Sequence, residues 1–239
     1  MTQEMTAYYA RRAAEYERVY TSPRWQDDLA ELRPRVADFF AGRRVFEVAC
    51  GTGYWTHVAA ERARAVHATD VNDDTLALAR AKSYAAPVSF ERRDAYAPVA
   101  TPGRFDAGLA GLWLSHVDLA RMEAFLRAFH SHLEPGAAVL MFDERATEER
   151  PNPPASRVDE AGNRYEMRRL QDGERFEIVK NLFDRVRLEA LIHPHAASIS
   201  YRELQYFWLL EYVVASPRGA RPGLAGCGRI RGRNHEFRT

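Results

Sequence analysis

The run from Val45 to Thr56 constrains the fold more than any other stretch of this chain. Val45, Phe46, Val48, Ala49 and Cys50 are almost unbroken apolar residues, as expected of a central parallel strand covered on both faces. Gly51 and Gly53 then let the backbone turn sharply and approach a ligand with no side chain in the way. A strand, a glycine turn and a helix start together point to a nucleotide site.

The residues around the glycines narrow the choice of nucleotide. A dinucleotide fold wants a third glycine where Thr56 stands, and a pyrophosphate wants positive potential where the feeding strand carries Glu47. A cationic ligand suits this turn better. Seventeen residues beyond Gly53, Asp70 closes the apolar run from Ala65, which leaves room for one helix and one strand, a βαβ unit. Its carboxylate would accept hydrogen bonds from ribose hydroxyls. S-adenosylmethionine, with a sulfonium, an ammonium and a ribose, fits that description.

Five segments follow one another at fitting spacings: Glu47-Val-Ala-Cys-Gly51-Thr-Gly53, Asp70, Asp94-Ala95, Phe105-Asp106 leading into Leu112, and Leu133-Glu134-Pro135-Gly136. In these the chain resembles the class I (Rossmann-like) S-adenosylmethionine-dependent methyltransferases, over the stretch from Tyr8 to Ala215. Ala49 stands where many members carry a first glycine. The resemblance implies an α/β fold with a doubly wound, mostly parallel seven-stranded sheet whose last strand is antiparallel. It also implies S-adenosylmethionine as cofactor and S-adenosylhomocysteine as product. Asp94 would lie beside the adenine amine. A helix of the type Tyr-Tyr-x-x-Arg-x-x-Glu-Tyr closes over the methionine end in this family, and Tyr8, Tyr9, Arg12 and Tyr16 match it. The cofactor residues expected are Tyr9, Tyr16, Glu47, Ala49, Gly51, Gly53, Trp55, Asp70, Val71, Asp94, Ala95 and Leu112.

Composition sets outer limits. A chain of 239 residues buries one core, and a net charge of +1 supplies no global field for nucleic acid or an anionic membrane. Two cysteines, Cys50 and Cys227, offer neither a disulfide framework nor a zinc set and suit a reducing cytoplasm. No apolar stretch is long enough to span a bilayer. The organisation expected is an N-terminal helical lid over 1–42, a cofactor-binding domain over 43–215 with a hairpin insert near 160–180, and a flexible basic tail over 216–239. A monomer and a homodimer both fit.

Outside the core pattern, Tyr9, Ala13, Tyr16 and Tyr20 recur at helical spacing in a helix over 2–20. Leu29, Leu32, Val36, Phe39 and Phe40 mark an amphipathic helix ended by Gly42, and Asn72 or Asp73, and Asp118, are candidate helix caps. Pro135-Gly136 should turn the chain into a strand over 137–142. Beyond it, Asp172-Gly173 between two apolar runs signals a hairpin after the fifth strand.

Methyl transfer needs positioning and exclusion of water before it needs an acid or a base. For an acceptor carrying a proton, His116 is the candidate base, being neutral near pH 7. Tyr8, Tyr20, Trp25, Trp113 and Arg168 are candidate contacts to the acceptor, read as a small, aromatic or heterocyclic molecule methylated on oxygen or nitrogen. Asp118, Asp143 and Glu144 fall short of a metal-ligand set, so no metal is expected. The competing readings are methylation of RNA or protein, a non-catalytic nucleotide-binding protein, and a nicotinamide oxidoreductase, the last opposed by Thr56 and Glu47.

Overall fold

The computed structural model describes residues 3–99, 104–147 and 155–216. Its main sheet contains β1 (Arg44–Val48), β2 (Ala65–Asp70), β3 (Val88–Arg92), β4 (Phe105–Gly111), β5 (Leu133–Glu144), β9 (Ala196–Glu203) and β10 (Phe207–Val214). Across the sheet the order is β3-β2-β1-β4-β5-β10-β9. The first five strands pair in parallel, and β10 runs antiparallel to both its neighbours. This is the doubly wound, mostly parallel seven-stranded sheet expected, including its reversed strand near the end.

The helices are α1 (Gln3–Arg12), α2 (Gln26–Phe39), α3 (Tyr54–Ala60), α4 (Asp73–Arg80), α5 (Met122–Ser131) and α6 (Arg185–Ile192). Alternate residues of β5 feed two separate apolar layers. Leu140 and Phe142 join Leu29, Leu32 and Val36 of α2 on one face, while Val139 and Met141 join Phe125 and Phe129 of α5 on the other. A strand buried on both faces explains why its sequence reads as continuous apolar residues. Each fully buried side chain of this kind contributes roughly 1.5–3 kcal/mol relative to exposure.

Three short strands, β6 (Arg157–Val158), β7 (Arg164–Arg169) and β8 (Arg175–Val179), make a second, antiparallel sheet that contains the expected hairpin. Two residues are too few for β6 to show any periodicity in the sequence. Met5 and Tyr8 of α1 pack against Phe176 and Ile178 of β8, and Arg11 forms ion pairs with Asp172, at 2.7 Å, and with Glu174. The N-terminal helix and the hairpin are therefore one packed unit.

Several boundaries differ from the sequence reading. The helix expected over 2–20 is α-helical only to Arg12, and Ala13–Thr21 is a 3-10 helix. Ring contacts decide this: Tyr16 meets Tyr20, which stacks on Tyr54 at 3.7 Å and meets Trp55 edge-on. Such tertiary packing overrides the weak propensity of a short segment. The Pro135-Gly136 turn lies inside β5, with Gly136 at φ 81° absorbing the irregularity. The tail from 217 onward and the proline stretch 151–154 lie outside the described residues. Among the described residues no helix is long and apolar enough to cross a membrane.

Candidate active site

The strand order reverses between β1 and β4, and clefts in open α/β sheets form at the carboxyl ends of strands flanking such a point. A cleft of about 850 Å³, its open mouth included, lies there. Glu47, Ala49 and Gly51 reach it from β1 and its turn, Asp70 and Val71 from the end of β2, Asp94 and Ala95 after β3, and Leu112 and Trp113 after β4. Trp55 of α3 lines it too, and Tyr9, Tyr16 and Tyr20 cover it from the N-terminal segment.

The carboxylate of Asp70 braces the glycine turn. Its two oxygens accept from the Gly51 and Asn72 backbone N–H groups, each at 2.9 Å. Gly53 does not line the cleft. It sits at φ 80°, and a Cβ there would fall 3.0 Å from the Ala79 Cβ and 2.6 Å from the Tyr84 hydroxyl, so glycine is needed both for the left-handed turn and for its close approach to α4. Ala49 at φ 53° and Leu112 at φ 55° adopt the left-handed conformation without being glycine. Each such position costs of order 1–3 kcal/mol, and strain of this kind collects at functional sites.

Glu47 is buried, and its carboxylate accepts a hydrogen bond from the Thr56 hydroxyl at 2.6 Å. Burial raises its pKa to about 8, the Thr56 bond opposing and the nearby Asp70 charge adding. Thr56, which argued against a dinucleotide in the sequence, here has a positive task that its position gave no way to read. The N-terminal segment touches the turn directly: Glu17 accepts from the Thr52 hydroxyl at 2.7 Å and pairs with Lys82.

A second chamber, of about 810 Å³ with its mouth, adjoins the first. Tyr9, Tyr16, Leu112 and His116 line both, and so form the partition between them. Trp25 and Arg168 line only the second chamber, together with Arg12, Arg24, Glu144 and Lys180. Of the other residues expected to touch an acceptor, Tyr20 and Trp113 line the first cleft, and Tyr8 lines neither. Tyr8 packs on Phe176 and accepts a hydrogen bond from Arg12 at 2.9 Å.

His116 is held by both ring nitrogens. Nδ1 lies 2.7 Å from the Val179 carbonyl, which can only accept, so Nδ1 carries the proton and Nε2 is left as an acceptor toward the Tyr9 hydroxyl at 2.8 Å. Burial, followed by the Lys180 charge, lowers its pKa to about 4. The imidazole is therefore neutral near pH 7. Behind it, buried Lys180 bonds Ser115 Oγ at 2.9 Å and Asp143 at 3.2 Å, and Asp143 also accepts from the Ser115 N–H. Burial by itself raises the Asp143 carboxyl, and the Lys180 charge overrides it and holds the group below the usual carboxylate range. This support was missed in the sequence, although a signal existed: Lys82 and Lys180 are the only two lysines beside 32 arginines, and both make carboxylate pairs at sites where a compact ammonium fits.

Among the described residues no group of three or more His, Cys, Asp or Glu side chains is placed to hold a metal. Asp118 caps the turn after β4 by accepting from Ala120 and also accepts from Asn163, while Asp143 belongs to Lys180.

These histidines carry a stability prediction. His130 is also lowered to about 4, by burial and by His195. Above the unfolded value of 6.5 both are neutral in either state. As pH falls toward 4 the unfolded chain takes up protons that the folded chain refuses, so stability should drop by as much as roughly 3 kcal/mol per histidine. Denaturant melts between pH 7 and pH 4 test this, and replacing His130 with Gln should remove part of the decline.

Residues 45–136 match the family model of a methyltransferase domain. A solved structure of DhpI with SAH is 27% identical over 90% of this chain and 97% of that one, with a TM-score of 0.72. The chain carries a methyltransferase domain and is similar to the class I S-adenosylmethionine-dependent methyltransferases. A further DhpI structure, titled as a complex with SAM and HEP, is 29% identical to this methyltransferase over 87% of its chain and 95% of the other, with a TM-score of 0.71. The 1,6-didemethyltoxoflavin N1-methyltransferase of Burkholderia thailandensis shares the fold at 14% identity, over 89% of this methyltransferase and 88% of its own chain, with a TM-score of 0.58. No curated protein matches the methyltransferase in sequence.

Proposed function

We propose that this methyltransferase binds S-adenosylmethionine in the first cleft and transfers its methyl group to an oxygen or nitrogen of a small molecule in the second chamber. The observation that carries the reading is the shared partition of Tyr9, Tyr16, Leu112 and His116, because a methyl group passing between two ligands must cross where their chambers meet. The size of the second chamber suits a small acceptor better than RNA or a protein, and a DhpI structure titled as a complex with both SAM and HEP supports the reading.

In this reading Asp70 accepts from the ribose hydroxyls while bracing the turn, Asp94 and Val71 frame the adenine, and Glu47 receives the ammonium. Transfer is an in-line displacement: a lone pair of the acceptor forms the new bond to carbon, and the carbon–sulfur bond breaks with its electrons passing to sulfur. As the acceptor atom is alkylated its proton becomes strongly acidic, so His116 Nε2, despite its low basicity, can take it. Tyr9, whose pKa is raised well above 10 by burial, remains a neutral donor that yields its place at Nε2 to the acceptor. Asp143, paired behind, favours the imidazolium that forms.

Thermal melts with S-adenosylhomocysteine, S-adenosylmethionine and nicotinamide nucleotides test the reading, since a ligand at 100 times its Kd stabilises by about 2.7 kcal/mol. The two adenosyl compounds should stabilise and the nicotinamide nucleotides should not. Replacing Asp70 with Ala should weaken S-adenosylhomocysteine binding by about 10- to 100-fold, read by calorimetry. Unchanged binding would remove Asp70 from the cofactor site.

A further inference from the structure

The arginines of the second chamber have chemistry that the transfer step leaves unused. Adjacent in sequence, Arg11 and Arg12 have opposite fates. Arg11 faces outward and is neutralised by Asp172 and Glu174 of the hairpin. Arg12 faces the chamber, where its guanidinium lies 5.7 Å from the Tyr8 ring centre and 5.5 Å from that of Tyr16 and donates to the Tyr8 hydroxyl. Among the described residues no carboxylate pairs with it. A guanidinium between phenols gains cation–π energy, yet it keeps N–H donors that only an acceptor can use.

Arg168 enters the same chamber from β7. One of its terminal nitrogens lies 2.7 Å from Glu166, while its Nε–H is buried without a hydrogen-bond partner. Two further residues of the chamber, Arg24 and Trp25, likewise carry a buried N–H without a partner at Nε and Nε1. All three orphaned groups are donors. Four cations and one carboxylate, Glu144, line the chamber, with Asp143 answering Lys180 from behind. A cavity so supplied is matched by a ligand rich in acceptor oxygens and negative charge.

We propose that the methyl acceptor is an anion, a small molecule whose carboxylate or phosphoryl group is held by Arg12 and Arg168, with Arg24 at the same chamber. This rests on the methyltransferase reading and assigns the class of acceptor for that site. The lid helix and the hairpin pack on each other, and each contributes one arginine, so their contact sets the distance between the two guanidinium groups. Tyr9 lines the same chamber as both arginines, which puts the anionic group close to the partition where transfer occurs.

The test is a calorimetric titration of the protein loaded with S-adenosylhomocysteine, using benzoate, phenyl phosphate and benzamide as probes. At least one anion should bind about 10-fold or more tighter than the neutral amide, and the preference should shrink as salt rises. The better of the two anions distinguishes carboxylate from phosphoryl recognition. Arg168→Gln and Arg12→Gln should each weaken the anion by about 10- to 100-fold while leaving S-adenosylhomocysteine affinity within a few-fold, and Arg168→Lys should recover part of the loss. If the loaded protein binds benzamide as tightly as both anions, or if both glutamine variants keep the anion preference, the anionic acceptor is overturned and the methyltransferase reading stands. If S-adenosylhomocysteine itself does not bind, both fall together.

Discussion

Replacing Glu47 with Gln should make the ligand-free protein more stable and the cofactor complex weaker. The wild-type carboxyl has its pKa raised to about 8 by burial, against 4.5 in the unfolded chain. Below 4.5 both states are protonated and the side chain costs nothing. As pH rises the unfolded chain loses a proton that the folded chain retains, and stability falls until the folded carboxyl also ionises near 8. At pH 7 the penalty approaches roughly 3 kcal/mol, which in a chain of this size corresponds to a Tm lowered by about 6–12 °C. Gln keeps an oxygen for the Thr56 hydroxyl and has nothing to titrate, so melts of the variant should gain on the wild type between pH 5 and pH 8. Binding should move the other way. An ammonium placed at Glu47 favours the ionised carboxylate, so wild-type binding releases a proton and tightens as pH rises toward 8. The variant should lose that pH dependence together with about 10- to 100-fold in affinity for S-adenosylhomocysteine. A variant that melts lower than wild type throughout would show that the carboxyl is held neutral by contacts worth more than its desolvation.

The second large effect is expected at His116. Replacing it with Ala should lower kcat by about 100-fold or more with a proton-bearing acceptor, the usual range for loss of a positioned general base. Cofactor affinity should remain within a few-fold. The pH profile separates this from a packing defect: with the imidazole lowered to about 4, the wild-type rate limb governed by this group should be flat from pH 6 to pH 8 and fall only near pH 4. The variant should lack that limb. Equal rates in the two proteins, measured at saturating acceptor by transfer of labelled methyl, would remove His116 from the chemistry.

The sheet was legible because its signals are local. An apolar run, a glycine turn and an acidic strand end recur within each βαβ unit, and the residues from Glu47 to Leu112 that line the first cleft come from successive strand ends. Asn72 and Asp118 could be read as caps for the same reason, their partners lying two residues away. What failed to show in the sequence depends on distance or on crowding. The support beneath His116 joins Ser115, Asp143 and Lys180 across as many as 65 residues. The close approach of Gly53 to Ala79 and Tyr84 is likewise invisible in the sequence, because the permissive backbone of glycine leaves its task open until those residues are in place. Tyr8 stands next to Tyr9 in the Tyr-Tyr motif, yet adjacent residues on a helix face directions about 100° apart, and only Tyr9 reaches the partition.

The joining of the N-terminal helix to the hairpin bears on how such enzymes diversify. Met5 and Tyr8 meet Phe176 and Ile178 in a small apolar cluster of their own, separate from the two layers that stabilise the sheet. Substitutions in this cluster reach the two apolar layers of the sheet only indirectly, and sites without shared neighbours contribute nearly additively to stability. A lineage could recast which molecules it modifies by altering two peripheral elements in concert, provided Tyr9 on the same helix keeps its place over the donor.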